Sequence, residues 1–158
     1  MIRFIGIVVA AVLLNAAPGS TAEPAVAKPS DKDKCPVCGM FVAKYPDWVA
    51  AVVFKDAARR YFDGPKDLFK FLLDLEQYAP GKGRSDIDRL LVTDYYAVSH
   101  IDGRLAFYVI GSDVYGPMGK ELIPFTREAD AREFLKDHRG RKILRFNEIT
   151  PAVLKELD

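Results

Sequence analysis

The strongest constraint on the fold is a pattern that occurs twice. Arg60-Tyr61-Phe62-Asp63 leads through Gly64-Pro65 into a segment containing Phe69-Lys70-Phe71-Leu72, and about 60 residues later Ile123-Pro124-Phe125-Thr126 leads into Arg132-Glu133-Phe134-Leu135. In the first half, Trp48 to Phe54 is a β-rich run, Lys55-Asp56 a turn and Arg60 to Phe62 a second strand, together a hairpin. Pro65 suits the first turn of a helix with Asp63 or Gly64 near its cap. Leu68, Phe69, Phe71, Leu72 and Leu75 then recur at helical spacing, and the helix ends before Pro80-Gly81. Leu90 to Val98 reads as a strand, with Thr93, Tyr95 and Tyr96 supplying β-propensity, and Asp102-Gly103 as a turn. Further strands are expected at Leu105 to Ile110, Glu121 to Phe125 and Ile143 to Phe146. A helix capped at Thr126 should run through Asp137, and a short one should start at Thr150-Pro151. Each half reads strand, strand, helix, so the fold class is α+β, two small ββα-type repeats built on antiparallel hairpins.

Residues 1 to 22 carry Arg3, no acid, an apolar stretch from Phe4 to Leu14 and the small residues Ala16, Ala17, Ser20 and Ala22, the pattern of a secretory signal peptide. The stretch is shorter than the about 20 residues a membrane span needs. No cysteine lies near the expected cut after Ala22 to accept a lipid, so the expected product is a soluble periplasmic protein without membrane attachment. Residues 23–34 are rich in Pro, Ala, Lys and Asp and read as a flexible tether ahead of a domain at 35–158, with its repeats at about 35–80 and 90–158. Removing 22 of the 158 residues takes away Arg3 and leaves 22 Lys plus Arg against 22 Asp plus Glu. A balanced chain lacks the basic surface that nucleic-acid binding requires.

Cys35-Pro36-Val37-Cys38-Gly39-Met40 holds both cysteines and one of the two methionines that follow the initiator. Thiolate with thioether points to a soft metal, and the thioether tilts the choice to Cu(I) over Zn(II). Cys38 and Met40, one residue apart, would project to the same side of an extended segment. The remaining sulfur, Met118, lies in Tyr115-Gly116-Pro117-Met118-Gly119, where glycine and proline mark a loop instead of a core stripe. The rival reading is thiol–disulfide redox chemistry at Cys-Pro-Val-Cys in an oxidising compartment, with a plain Cys35–Cys38 disulfide as its inert form. A redox motif of that kind follows a strand and opens a helix, whereas Cys35 follows the polar run Ser30 to Lys34. His100, beside a turn, is a weaker ligand candidate. His138 is explained by its place at a helix C-terminus, and neither histidine has zinc-type spacing. No nucleophile–base pair is visible, so an enzyme is not expected.

The runs C-P-V-C-G-M-F-V-A-K-Y-P-D-W, D-V-Y-G-P-M-G-K-E-L-I-P-F and R-K-I-L-R-F-N-E-I-T-P together resemble the NosL family of nitrous oxide reductase accessory proteins, over most of the mature chain. The resemblance implies a fold similar to part of organomercurial lyase. It also implies a periplasmic copper chaperone of denitrification that binds Cu(I) and delivers it to apo nitrous oxide reductase alongside other copper-assembly proteins. Carried over residue by residue, the implied metal ligands are Cys38, Met40 and Met118, with Cys35 as a fourth or alternate ligand.

Overall fold

A computed structural model describes residues 28–158. The expected signal peptide and residues 23–27 of the tether lie outside the described residues. Ser30 to Asp33 already forms a turn, in which the Asp33 carboxylate accepts the Ser30 amide at 2.6 Å, and Lys34 bridges to Phe41.

The central strand β1 (Ala50–Phe54) is buried at every position, because it has a neighbour on each side and helices over the sheet. Its Ala, Val and Phe side chains supply the β-branched and aromatic bulk that a two-sided strand needs. It pairs antiparallel with β2 (Arg59–Phe62) and with β3 (Ile87–Thr93), and β4 (His100–Asp102) completes a sheet of order β2-β1-β3-β4. Ala51 stands opposite Tyr61 on one side and Leu91 on the other. Helix α1 (Pro65–Leu73) starts with Gly64 as N-cap and Pro65 in its first turn. Its buried Leu68, Phe69, Phe71 and Leu72 lie on this sheet. The Phe71 ring meets Phe62 at 5.1 Å and Phe54 at 6.5 Å between centroids, both edge-on.

Helical spacing through Leu75 suggested one helix, but the chain breaks at Asp74, whose carboxylate accepts the Gln77 amide and opens the separate α2 (Leu75–Tyr78). A larger difference falls on β3, which begins before Leu90 and stops at Thr93. Asp94 Oδ1 accepts the amides of Tyr96 and Ala97, folding the chain into an Asx-type turn that overrides the β-propensity of the two tyrosines.

In the second half β5 (Phe107–Ile110) is central, between β8 (Ile123–Phe125) and β9 (Lys142–Arg145). Between β5 and β8 stands a minimal hairpin, β6 (Tyr115–Gly116) and β7 (Gly119–Lys120), with Pro117 and Met118 at its tip. Helix α3 (Glu128–Asp137) packs Ala131 and Phe134 against β5 and β8. It does not begin at Thr126 as expected: that residue gives both its amide and its hydroxyl to Asp94 Oδ2, and Arg127 takes the N-cap position without a side-chain cap. The terminal helix α4 (Pro151–Glu156) is capped by Thr150 as expected and lies on α1. Phe69 joins the halves, edge-on to Tyr108 of β5 at 5.3 Å and against Phe146 at 5.3 Å. The result is mixed helix and antiparallel sheet, as the strand and helix pattern indicated.

One cross-connection positions everything that follows. Gly64 offers no side-chain cap, and the buried Glu121 takes over that task, accepting the Lys66 amide at 2.6 Å and the Leu122 amide at 2.9 Å. A Cβ on Gly64 would sit 2.3 Å from Glu121 Oε2, so only glycine lets the carboxylate come this close. Burial pushes the Glu121 carboxyl up to about 8, against the opposing effect of these amides and of Lys66.

Candidate metal centre

The Cys-Pro-Val-Cys segment is a tight reversal. The Cys35 amide donates to the Met40 carbonyl at 2.9 Å, and the Gly39 amide donates to the Cys35 carbonyl at 2.9 Å. Gly39 takes φ of +79°, which side chains resist, and this turns the chain back on itself. The extended Cys38–Met40 segment expected from one-residue spacing is therefore not what forms. The reversal brings both cysteine sulfurs to one side instead, facing the start of α1.

That start contributes two acids. Asp63 precedes the N-cap and Asp67 lies in the first turn, four residues on, so they share a face and both sit near the positive end of the helix dipole. Cys35 Sγ donates to Asp67 Oδ2 at 3.2 Å, and Cys38 Sγ donates to Asp63 Oδ1 at 3.2 Å. One donor atom from each of Cys35, Cys38, Asp63 and Asp67 lies within 4.8 Å of all the others. Cys35, Asp63 and Asp67 are at most 3% exposed, whereas Cys38 is only half-buried. Both cysteines are free thiols, so the inert disulfide is not formed.

Asp63 Oδ2 is the buried side-chain oxygen or nitrogen that lacks a hydrogen-bond partner among the described residues. Leaving such an atom unpaired costs about 1–3 kcal/mol, more for a charged group. A cation held among these donors would relieve that cost. Burial pushes both thiols up, Cys38 to about 12 and Cys35 further. Backbone amides around the turn oppose the rise, and the two carboxylates add to it. Without metal both thiols hold their protons at neutral pH. A bound metal must displace them, so affinity rises with pH.

The other expected ligands stand differently. Met40 closes the reversal with its carbonyl and has a half-buried side chain. Met118, at the hairpin tip, is 43% exposed, in keeping with a loop residue, and its carbonyl accepts Lys66 Nζ at 2.9 Å. Lys66 is the neighbour of Asp67, so the Met118 hairpin is fastened to the turn of α1 that carries the acids. His100 opens β4 and lines a cleft with Lys28, Pro46 and Asp47, apart from the group of four. His138 caps α3, stacks on Phe134 at 4.3 Å and lies 3.1 Å from Asp113.

The sequence reading missed Asp63 and Asp67, taking the first as a helix cap and passing over the second. A signal existed: Asp67 stands one turn before Phe71 on the buried face of α1, where a carboxylate needs a partner.

The chain has known relatives in sequence and in fold. The family profile described as NosL matches residues 26–154. The chain is 34% identical over 133 residues to the copper-binding lipoprotein NosL of Stutzerimonas stutzeri, covering 80% of this chain and 66%, just under two thirds, of that protein. The crystal structure of the copper chaperone NosL from Shewanella denitrificans superposes with a TM-score of 0.67 at 30% identity, over 82% of this chain and 99% of that one. The solution structure of apo-NosL from Achromobacter cycloclastes gives a TM-score of 0.47 at 26% identity, over 66% of this chain and 87% of that one. With a profile match over most of its length, the chain belongs to the NosL family.

Proposed function

We propose that this protein is a periplasmic metallochaperone that binds Cu(I) and hands it to the apo form of a copper enzyme, nitrous oxide reductase. The observation that carries the reading is the pair of a buried Cys35 and a half-buried Cys38, facing two carboxylates in a NosL-family chain. The relatives, a copper-binding lipoprotein and a copper chaperone, support the metal. Export rests on the leader-like residues 1–22. Among the described residues no helix is long and apolar enough to cross a membrane.

In this mechanism Cu(I) enters at the half-buried Cys38 edge and engages both sulfurs as their protons leave. Asp63 and Asp67, already accepting those S–H groups, are the nearest proton acceptors. Cys35, fully enclosed, anchors the ion, and Cys38 remains open to exchange with a partner's ligand. Thioethers from Met118 and Met40 complete a soft, low-coordinate set. The rival redox role needs a thiol made acidic by positive surroundings. These thiols face carboxylates and are pushed up, which is the opposite environment.

A second reading has its own observation. Two thiolates and two carboxylates also make a four-donor set of the kind tetrahedral Zn(II) accepts, and the unpaired Asp63 oxygen is a harder donor than sulfur. Competition decides between them. Offered Cu(I) and Zn(II) together under anaerobic reducing conditions, the protein should retain copper in preference, as read by elemental analysis after desalting. Stoichiometric zinc without copper would sink the chaperone reading.

Met118 is tested by a pair of variants. Met118→Leu should weaken Cu(I) binding yet change apo stability by less than about 1.5 kcal/mol, the range of a volume-conserving swap. Met118→Ala should fall well short of the ~2–5 kcal/mol that a core methionine loses, because the side chain is 43% exposed. Unchanged copper affinity in the leucine variant would remove Met118 from the site.

A further inference from the structure

Lys66 is a buried cation, 3% exposed, inside the first turn of α1. Its ammonium donates to the carbonyl of Met118 at 2.9 Å and to the carbonyl of Leu157 at 3.1 Å, and lies 3.9 Å from the Asp158 carboxylate. Its own amide is held by Glu121 at 2.6 Å, just after the chain leaves β7. One residue thus joins the helix turn bearing Asp67 to the tip of the Met118 hairpin, to Glu121 just past it and to the C-terminal end of the chain. A hairpin with two residues in each strand has little of its own to fix its position. Burying a lysine to hold such a tip is costly unless all its donors are used. Packing alone would be served as well by an apolar side chain.

We propose that Lys66 is a positioning residue of the copper site: by holding the Met118 backbone carbonyl it sets the Met118 thioether beside the Cys35, Cys38, Asp63 and Asp67 group. The inference rests on the reading of Met118 as a copper ligand. Lys66 touches no metal itself. It acts through the hairpin, fixing the thioether so that Cu(I) does not have to order it on binding, which keeps that entropy out of the binding equilibrium.

The test uses the reduced full mature chain, Cu(I) with a chelator competitor, and methyl-labelled methionine followed by NMR. Lys66→Leu keeps apolar bulk in place of the stem and removes the donor without adding a thioether. It should lower Cu(I) affinity by about 10-fold or more, the range seen when partners that orient ligands are lost. The Met118 methyl resonance, which moves on Cu(I) addition in the parent protein, should no longer move, while that of Met40 still does. The double variant Lys66→Leu with Met118→Leu should bind no more weakly than Met118→Leu alone, since both changes remove one contribution. Lys66→Arg retains a donor and should restore part of the Met118 response. If Lys66→Leu does not fold, Lys66→Ala is read in the same way.

Parent-like affinity and a parent-like Met118 shift in the Lys66 variants would overturn the positioning role, as would losses that multiply in the double variant. A Met118 resonance indifferent to Cu(I) in the parent protein would instead overturn the ligand reading on which the role depends. The two failures are distinguishable.

Discussion

Cys38→Ser and Cys35→Ser each lower Cu(I) affinity beyond the ~10–100-fold that accompanies loss of an outer-sphere partner, as read by chelator competition on reduced protein. Motif spacing alone makes Cys35 the lesser partner, since only Cys38 shares the Cys-Gly-Met unit. The fold removes that asymmetry: both sulfurs belong to the same group of four, and Cys35 is the more deeply enclosed. Serine keeps a hydroxyl able to donate to Asp67 or Asp63, so each variant should fold with the apo hydrogen bonds in place. What it loses is the soft donor. A Cys35→Ser protein that binds copper within about 10-fold of the parent, less than even an outer-sphere loss, would return Cys35 to a spectator role and leave Cys38 with the thioethers.

The second large effect is on stability. Phe71→Ala should destabilise the apo protein by about 3–5 kcal/mol, the usual result for deleting a buried phenylalanine. That is a large share of the ~5–15 kcal/mol that holds a domain together. Phe71 is fully enclosed and meets Phe54, Phe62 and Tyr78, so with Leu68, Phe69 and Leu72 it seats α1 on the β2-β1-β3-β4 sheet. The helix it seats carries Asp67, so the site loses definition along with the core. Urea denaturation without metal measures the loss. On the proposed reading Cu(I) binds only the folded form, so saturating copper should raise the midpoint of the variant. A loss below about 1.5 kcal/mol, the scale of a tolerated apolar swap, would show that α1 is held elsewhere.

Legibility in the sequence followed the range of the interactions. Asp63-Gly64-Pro65 announced the start of α1 because cap and proline act within one turn, and Thr150-Pro151 announced α4 for the same reason. The β1–β2 hairpin was legible from its run of Val, Phe and Tyr. Where a side chain reached across the fold, local rules misled. Asp94 bends the chain at Tyr95–Tyr96 and also claims Thr126, shifting the end of β3 and the start of α3 together. The cysteines and the loop position of Met118 could be read from residue type and neighbours. Asp67 left only the mark of an acid on the buried face of α1, and the pairing itself was not legible, since Asp67 and Asp63 meet Cys35 and Cys38 across 32 and 25 residues of chain. The Cys38–Met40 segment was expected to be extended, but the positive φ of Gly39 makes it a full reversal, which is what pairs the sulfurs.

The central claim is that sulfur from this reversal, helped by Met118, holds monovalent copper. Copper K-edge X-ray absorption on the anaerobically loaded protein tests it most directly, since edge and fine structure report oxidation state and donor type together. The expected spectrum is that of Cu(I) in a low-coordinate shell with at least two sulfur donors, losing sulfur amplitude in Cys38→Ser. A first shell made of oxygen or nitrogen alone, or a spectrum unchanged by Cys38→Ser, would contradict it.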